Sequence, residues 1–176
     1  MKHTISVLVE NQAGVLSKVV GLFSRRAFNI ESLAVGETEN PAVSRITILV
    51  EGNDYTVEQI EKQLNKIIQV IKVKTLKPET FVSRMLVLVK VAVAGQKRAE
   101  VVQIADMTGA RIIDAAKSTI TLEITDTSDK IDTLLSLLSP FGIREMVRTG
   151  IVAIEKGDGV TLTPVGKQKK SKENLS

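Results

Sequence analysis

The residue types best suited to bind a small molecule stand between the first strand pattern and the first helix pattern. Gly14 allows the backbone to come close to a ligand. The amides of Val15 and Leu16 open a helix with free N–H groups, which attract a carboxylate. The side-chain carbonyl of Asn11 can accept a hydrogen bond from an ammonium group, and Asn29 supplies a second carboxamide. Together these groups suit a small zwitterion.

The same residues also have a purely structural interpretation. Asn11 belongs to a residue type that caps helices, and Gly14 belongs to a type that forms turns. The residue types by themselves do not separate the two interpretations, and both stay open at this point.

Other kinds of chemistry have little support in the sequence. The chain has no cysteine and one histidine, His3, which excludes disulfides, thiolate nucleophiles, a His-based zinc cluster and a Ser-His-Asp triad. We expect His3 to lie at the surface. Asp126, Asp129 and Asp132 are spaced by three, but they stand at a helix start, where carboxylates offset the helix dipole. The glycine spacing at 159–167 does not fit a P-loop.

The elements that must position these groups follow the same order twice. Strand patterns fall at 4–10, 28–37, 43–51 and 70–76 and, after a break at Pro78, at 80–93, 110–116, 119–125 and 143–155, the last one interrupted at Gly150. Four helix stripes lie between them: Leu16, Val19, Val20 and Phe23; Val57, Ile60, Leu64 and Ile67; Val101, Ile104, Ala105 and Thr108; Ile131, Leu134, Leu135 and Leu138. Thr56 and Gln59 fit a capping box, and Gly109 closes the third helix.

The repeated β-α-β-β-α-β order predicts an α+β protein with two tandem ferredoxin-like domains, each an antiparallel sheet with helices on one face. We place the first domain at 1–77, the second at 78–158, and a basic, disordered tail at 159–176. The strands at 6–9 and 86–89 are apolar on both sides. We therefore expect the sheet faces without helices to be open and to require a partner, at least in a dimer.

Composition and charge limit the classes of protein to which the chain can belong. Of the 176 residues, 43% are hydrophobic, which is enough to bury a core. The net charge of +4 comes mainly from residues 167–176, which contribute +3 and are typical of a solvated end. No apolar run approaches the ~18 residues of a membrane span, and the first and third strands lack aromatics for stacking on RNA. We expect no membrane or nucleic-acid partner, no targeting peptide, and a location in the cytoplasm, or in the plastid stroma if the gene is organellar.

Several stretches carry a resemblance to a known family. Residues 7–16 resemble the strand–loop–helix segment of the amino-acid-binding ACT domain. With further stretches, the chain resembles the small, regulatory subunit of acetolactate synthase (acetohydroxyacid synthase) over about residues 2–157. Those stretches are GLFSRR at 21–26, FNIESL at 28–33, LVKV at 88–91, IID at 112–114 and RTG at 148–150.

The resemblance implies a subunit without catalysis of its own that functions in branched-chain amino acid biosynthesis. Such subunits dimerise through their ACT domains and bind a branched-chain amino acid, typically valine, at that interface. They activate a catalytic large subunit and confer feedback inhibition on it. Thiamine diphosphate, Mg²⁺ and FAD are implied for the large subunit, and no cofactor for this chain.

By motif, the implied effector contacts come from two protomers. One protomer supplies Asn11, Gly14, Val15 and Leu16, and the facing one supplies Asn29 and Ile30.

Two other classes remain open. A stand-alone ACT-type amino-acid sensor would share this site but act on a different partner. A nucleic-acid-binding module would use the basic tail and bind in a salt-dependent manner. A small enzyme has the least support, because no histidine, cysteine or suitable carboxylate cluster offers acid–base chemistry.

Overall fold

The computed structural model describes residues 1–161 and confirms two antiparallel β-α-β-β-α-β units. The first contains β1 (Lys2–Glu10), α1 (Val15–Arg25), β2 (Ile30–Glu37), β3 (Val43–Glu51), α2 (Asp54–Leu64) and β4 (Val70–Leu76). The second contains β5 (Phe81–Ala92), α3 (Lys97–Thr108), β6 (Arg111–Ala115), β7 (Thr119–Asp126), α4 (Ser128–Leu138), β8 (Ile143–Arg148) and β9 (Val152–Glu155). The greater part of the predicted tail, residues 162–176, lies outside the described residues.

Each unit builds one sheet and one core. The first sheet has the strand order β2-β3-β1-β4, and the second has the order β6-β7-β5-β8. Alternate residues of the central strands, such as Ile5, Val7 and Val9 of β1, face the helices and are almost fully buried. The second core repeats this with Val87, Val89 and other aliphatic side chains. Both cores are therefore largely aliphatic, as the scarcity of aromatics predicts.

Strand β5 takes part in two different pairings. Its first residues, 81–84, pair with β9, whereas residues 85–92 pair with β7 and β8. The strand predicted at 143–155 is accordingly two strands, separated at residues 149–151, which agrees with the interruption predicted at Gly150. This break sends the chain away from the second sheet and towards the first.

The face of the first sheet that carries no helices is nevertheless covered. Ser6 and Leu8 point to this face from β1 and are only 0% and 1% exposed. The expectation of an open face is therefore wrong over β1 of the first sheet, and the reason is the path of β9. In the second sheet, by contrast, every residue of β6 and β8 is exposed.

Strand β9 crosses this face from one edge of the sheet to the other. The N–H of Ile151, just before β9, donates to Oγ of Ser32 on edge strand β2 at 2.9 Å. At the other end, Glu155 Oε1 lies 2.6 Å from Nζ of Lys74 on edge strand β4. Three strand spacings of ~4.8 Å amount to about 14 Å, and four extended residues span about 13 Å, so the segment has the length that the crossing needs.

Two local predictions are corrected by the structure. The N-cap of α2 is Asn53 rather than Thr56, because the side-chain oxygen of Asn53 accepts from the Thr56 N–H at 2.8 Å. His3 is not a surface residue: its side chain is 12% exposed, and its Nε2 lies 3.2 Å from the carbonyl oxygen of Gly52.

Candidate functional site

No side chain within residues 1–161 caps the first turn of α1. Gly14 is its N-cap residue, with φ 84° and ψ −9°, a left-handed conformation that favours glycine. The Val15 N–H makes a long bond of 3.4 Å to Gln12, and the first helical bond runs from Lys18 to Gly14. Among the described residues, the N–H groups of Leu16 and Ser17 have no hydrogen-bond acceptor. This helix end can therefore receive an anionic group.

Asn11 does not cap this helix. Its Nδ2 group donates to the carbonyl oxygen of Pro41 at 2.8 Å and to Oε1 of Glu37 at 3.1 Å. Both N–H bonds of the carboxamide are thus in use, and the carbonyl partner at Pro41 fixes which atom is the nitrogen. The capping interpretation of Asn11 is wrong, and its Oδ1 remains able to accept from an ammonium group.

Val15 and Leu16 have different surroundings. The Val15 side chain is 3% exposed and belongs to the first core, so only its backbone can face a ligand. Leu16 is 40% exposed and lies at the same helix start as the free amides. The buried stripe of α1 is Val15, Val19, Leu22 and Phe23, so the placement of Leu16 and Val20 in that stripe was wrong.

Asn29 and Ile30 are positioned by the end of α1. Ala27 adopts φ 54°, and the N–H of Phe28 returns to the carbonyl of Phe23 at 3.1 Å, which is the Schellman pattern. The rings of Phe23 and Phe28 pack edge to face, with their centroids 6.2 Å apart. This hydrophobic contact holds the chain where Asn29, which is exposed, leads into β2.

A single chain does not bring the two halves of the predicted site together. Strands β1 and β2 run in the same direction, because both are antiparallel to β3. Ile30 is level with Val50 and hence with His3, near the start of β1, whereas Asn11 follows its end. Eight extended residues, from 3 to 11, span about 26 Å.

A groove of about 580 Å³ lies between the two units. Its walls are mainly apolar, and the residues that line it include Glu37, the carboxylate that Asn11 contacts. Side chains from both units line it, among them Val35, Arg45, Val82, Arg84 and Ile154. Sequence reasoning missed this groove, because its walls come from segments far apart in the chain.

Residues 1–161 contain neither a metal-binding cluster nor a membrane-spanning helix. Within them, no group of three or more His, Cys, Asp or Glu side chains is placed to hold a metal ion. None of the helices in this part of the chain is long and apolar enough to cross a membrane.

Known proteins match the chain across both units. The family described as AHAS small subunit-like ACT domain matches residues 5–72, and the family described as Small subunit of acetolactate synthase matches residues 84–157. A probable acetolactate synthase small subunit from Archaeoglobus fulgidus is 49% identical over 158 residues, which is 90% of this chain and 99% of that protein.

The chain belongs to the acetolactate synthase small-subunit family.

Other small subunits agree in sequence and in structure. The acetolactate synthase small subunit of Mycolicibacterium smegmatis is 45% identical over 155 residues, covering 88% of this chain and 91% of that protein. The crystal structure of the acetolactate synthase small subunit from Thermotoga maritima superposes with a TM-score of 0.84 at 40% identity, over 90% of this chain and 99% of that one. A small subunit implies a large subunit as its partner, and its role is regulatory.

Proposed function

We propose that this small subunit activates the large subunit of acetolactate synthase and confers feedback inhibition by valine on it. The catalytic chemistry, with thiamine diphosphate, Mg²⁺ and FAD, resides in the large subunit. Residues 1–77 bind the effector and dimerise, and residues 78–158 form the second domain. The observation that carries the proposal is the uncapped start of α1 beside the free side-chain oxygen of Asn11.

The groups at this end of the first sheet match a free amino acid. The N–H groups at Leu16 and Ser17 meet the α-carboxylate, and Gly14 leaves open space because it has no side chain. The Oδ1 of Asn11 accepts from the α-ammonium group. The half-exposed Leu16 side chain offers an apolar contact for a branched aliphatic side chain.

A second protomer supplies the remaining contacts in this proposal. Strand β2 is an edge of the first sheet, and its carboxyl end carries Glu37, which touches Asn11. In a two-fold dimer with the axis perpendicular to β2, the two copies of this strand run antiparallel. The start of the partner's β2 then lies beside the end of this one. Asn29 and Ile30 of one protomer would thus meet Asn11 of the other, although they are far apart in one chain.

Calorimetric titration of the purified small subunit with valine, leucine, isoleucine and glycine tests the effector site. We expect one branched amino acid to bind saturably and glycine not to bind, because glycine lacks the apolar side chain. Selectivity among the three branched amino acids should be modest, since one methylene changes binding by only about 1–3 kcal/mol. Absence of binding both to the free subunit and to the complex with the large subunit would contradict the proposal.

Reconstitution with the large subunit tests the partner. Acetolactate formation should rise when the small subunit is added and fall again when valine is added. A stand-alone sensor would bind the amino acid but leave acetolactate synthase activity unchanged, so this experiment separates the two functions.

A further inference from the structure

The triplet Arg148-Thr149-Gly150 belongs to the family resemblance but takes no part in the effector site. It consists of the last residue of β8 and the first two residues of the link from β8 to the crossing segment β9. Thr149 is held firmly on β5: its N–H donates to the carbonyl of Leu86, and its Oγ1 accepts from the N–H of Leu86, both at 3.0 Å. The link is therefore fixed to the central strand of the second sheet.

The next two residues press against the first unit. A Cβ atom added to Gly150 would meet the carbonyl group of Leu33 well inside van der Waals contact. Gly150 does not have a positive φ, so close approach rather than backbone conformation requires glycine here. The following N–H, of Ile151, donates to Ser32 Oγ at 2.9 Å. We call this contact, between residues 32–33 and residues 149–151, the joint.

The joint lies next to the predicted effector residues. Ser32 lies on β2, three residues after Asn29, which leads into that strand, and the ladder between β2 and β3 is irregular between Ile30 and Ser32. An irregular register allows the start of a strand to shift without breaking the whole ladder. Leu33 and Ile30 both pack against the first core, so a displacement at Ile30 reaches Leu33 through that packing.

We propose that the joint transmits to the second domain the structural change that effector binding causes at Asn29 and Ile30. The bound amino acid shifts the start of β2, Leu33 and Ser32 move against Gly150 and Ile151, and Thr149 carries the displacement into β5. The inference rests on the proposed function, because it requires an effector at this site. It assigns the residues of the joint to regulation rather than to ligand binding.

The substitution Gly150→Ala tests the joint in the reconstituted complex. The added methyl group must push residues 32–33 and 150 apart. We expect valine affinity of the free small subunit to stay within about threefold of wild type, and activation without valine to persist. Inhibition at saturating valine should be largely lost. Gly21→Ala is the matched control, because a Cβ at Gly21 in α1 meets only the end of the Arg25 side chain, at 3.7 Å, and Gly21 lies outside the joint and the proposed dimer edge.

A second pair of variants covers the case in which Gly150→Ala does not fold. Ser32→Ala removes the acceptor of the Ile151 N–H and should also weaken inhibition, whereas Ser32→Thr keeps a hydroxyl and should restore it. A hydrogen bond that only stabilised the fold would change the melting temperature and leave the extent of inhibition unchanged.

The thermodynamic linkage between valine binding and large-subunit binding supplies a measurement that a purely structural contact would not change. Allosteric coupling typically changes a binding affinity by about 5–150-fold, and it is reciprocal. The factor by which valine changes the affinity of the small subunit for the large subunit must therefore equal the factor by which the large subunit changes valine affinity. Titration of valine with and without the large subunit should show this factor in wild type and a factor near one in Gly150→Ala. Wild-type inhibition in both Gly150→Ala and Ser32→Ala would overturn the inference. Failure of the wild-type complex to bind valine would instead refute the proposed function.

Discussion

Gly14→Asp is the sharpest test of the proposed effector site, because the structure separates its two effects. A side chain at Gly14 has open space, with nothing within 4 Å of the added Cβ, so no clash is introduced. The φ of 84° does impose a conformational cost of about 1–2 kcal/mol on a residue with a side chain. Asn and Asp tolerate this conformation better than other such residues and are nearly identical in shape. Gly14→Asn is therefore the matched control, and the difference between the two variants reports the charge.

The size of that difference follows from electrostatics. Two carboxylates about 4 Å apart repel each other by about 1 kcal/mol in bulk water and by about 4 kcal/mol at an effective dielectric constant near 20. The site is at the surface, so the result should lie between these limits. Valine should bind to Gly14→Asp about fivefold to about 800-fold more weakly than to Gly14→Asn.

The assay is calorimetric titration of both variants with valine at low and at high ionic strength. The difference should shrink at high salt, because salt screens exposed charges. In the reconstituted complex, Gly14→Asp should lose inhibition while it still activates the large subunit. Equal affinity of Gly14→Asp and Gly14→Asn would refute the reasoning, since a carboxylate at this helix end must feel the new charge.

Three further predictions concern other parts of the molecule. Asn29→Ala should weaken valine binding by about 1.5–3 kcal/mol for each hydrogen bond to a charged group that is lost, and unchanged affinity on titration would remove Asn29 from the site. Lys74→Met should lower the free energy of unfolding by about 1–3 kcal/mol in urea titrations, because the Glu155 side chain is 13% exposed and its Oε2 has no hydrogen-bond partner within residues 1–161. The double variant Lys74→Met/Glu155→Leu should recover most of this loss. A larger loss in the double variant than in Lys74→Met would contradict the role of the pair. The hydrogen bond from the Thr127 N–H holds the pKa of Asp126 below its ordinary value, so its stabilising contribution is complete above about pH 4 and lost as the pH falls through the lowered pKa. Asp126→Asn should therefore reduce the acid sensitivity of the melting temperature in this range, and a wild-type acid profile in that variant would contradict the assignment.

Local patterns in the sequence were enough to predict the strands and helices and their order along the chain. Stripes such as Val57, Ile60 and Leu64 are buried as predicted, because helical periodicity reports directly which face meets the core. Gly109 ends its helix with φ 74°, as expected of a C-cap glycine. These features depend on residues close together in the chain, and an order of elements that occurs twice restricts the fold to two ferredoxin-like units.

Local patterns failed where hydrogen-bond partners had to be chosen. Asn11 has the right type to cap α1, but its carboxamide instead binds residues 37 and 41, which the fold brings beside it. Thr56 fits a capping box, but Asn53 has the oxygen in place. A side chain with several donors and acceptors takes the partners that tertiary structure presents, and sequence spacing does not reveal them.

The path of β9 was decided by the tertiary structure alone. The apolar pattern at 143–155 predicts a strand interrupted at Gly150. The pattern does not show that the chain leaves its sheet at residues 149–151 and covers the face of the first sheet that carries Ser6 and Leu8. Its anchor joins Ile151 to Ser32, which lie 119 residues apart. The sequence therefore determined which faces of the strands are apolar and must be buried. The packing of the two units determined which segment covers them, because the hydrophobic effect is non-directional and does not select the covering segment.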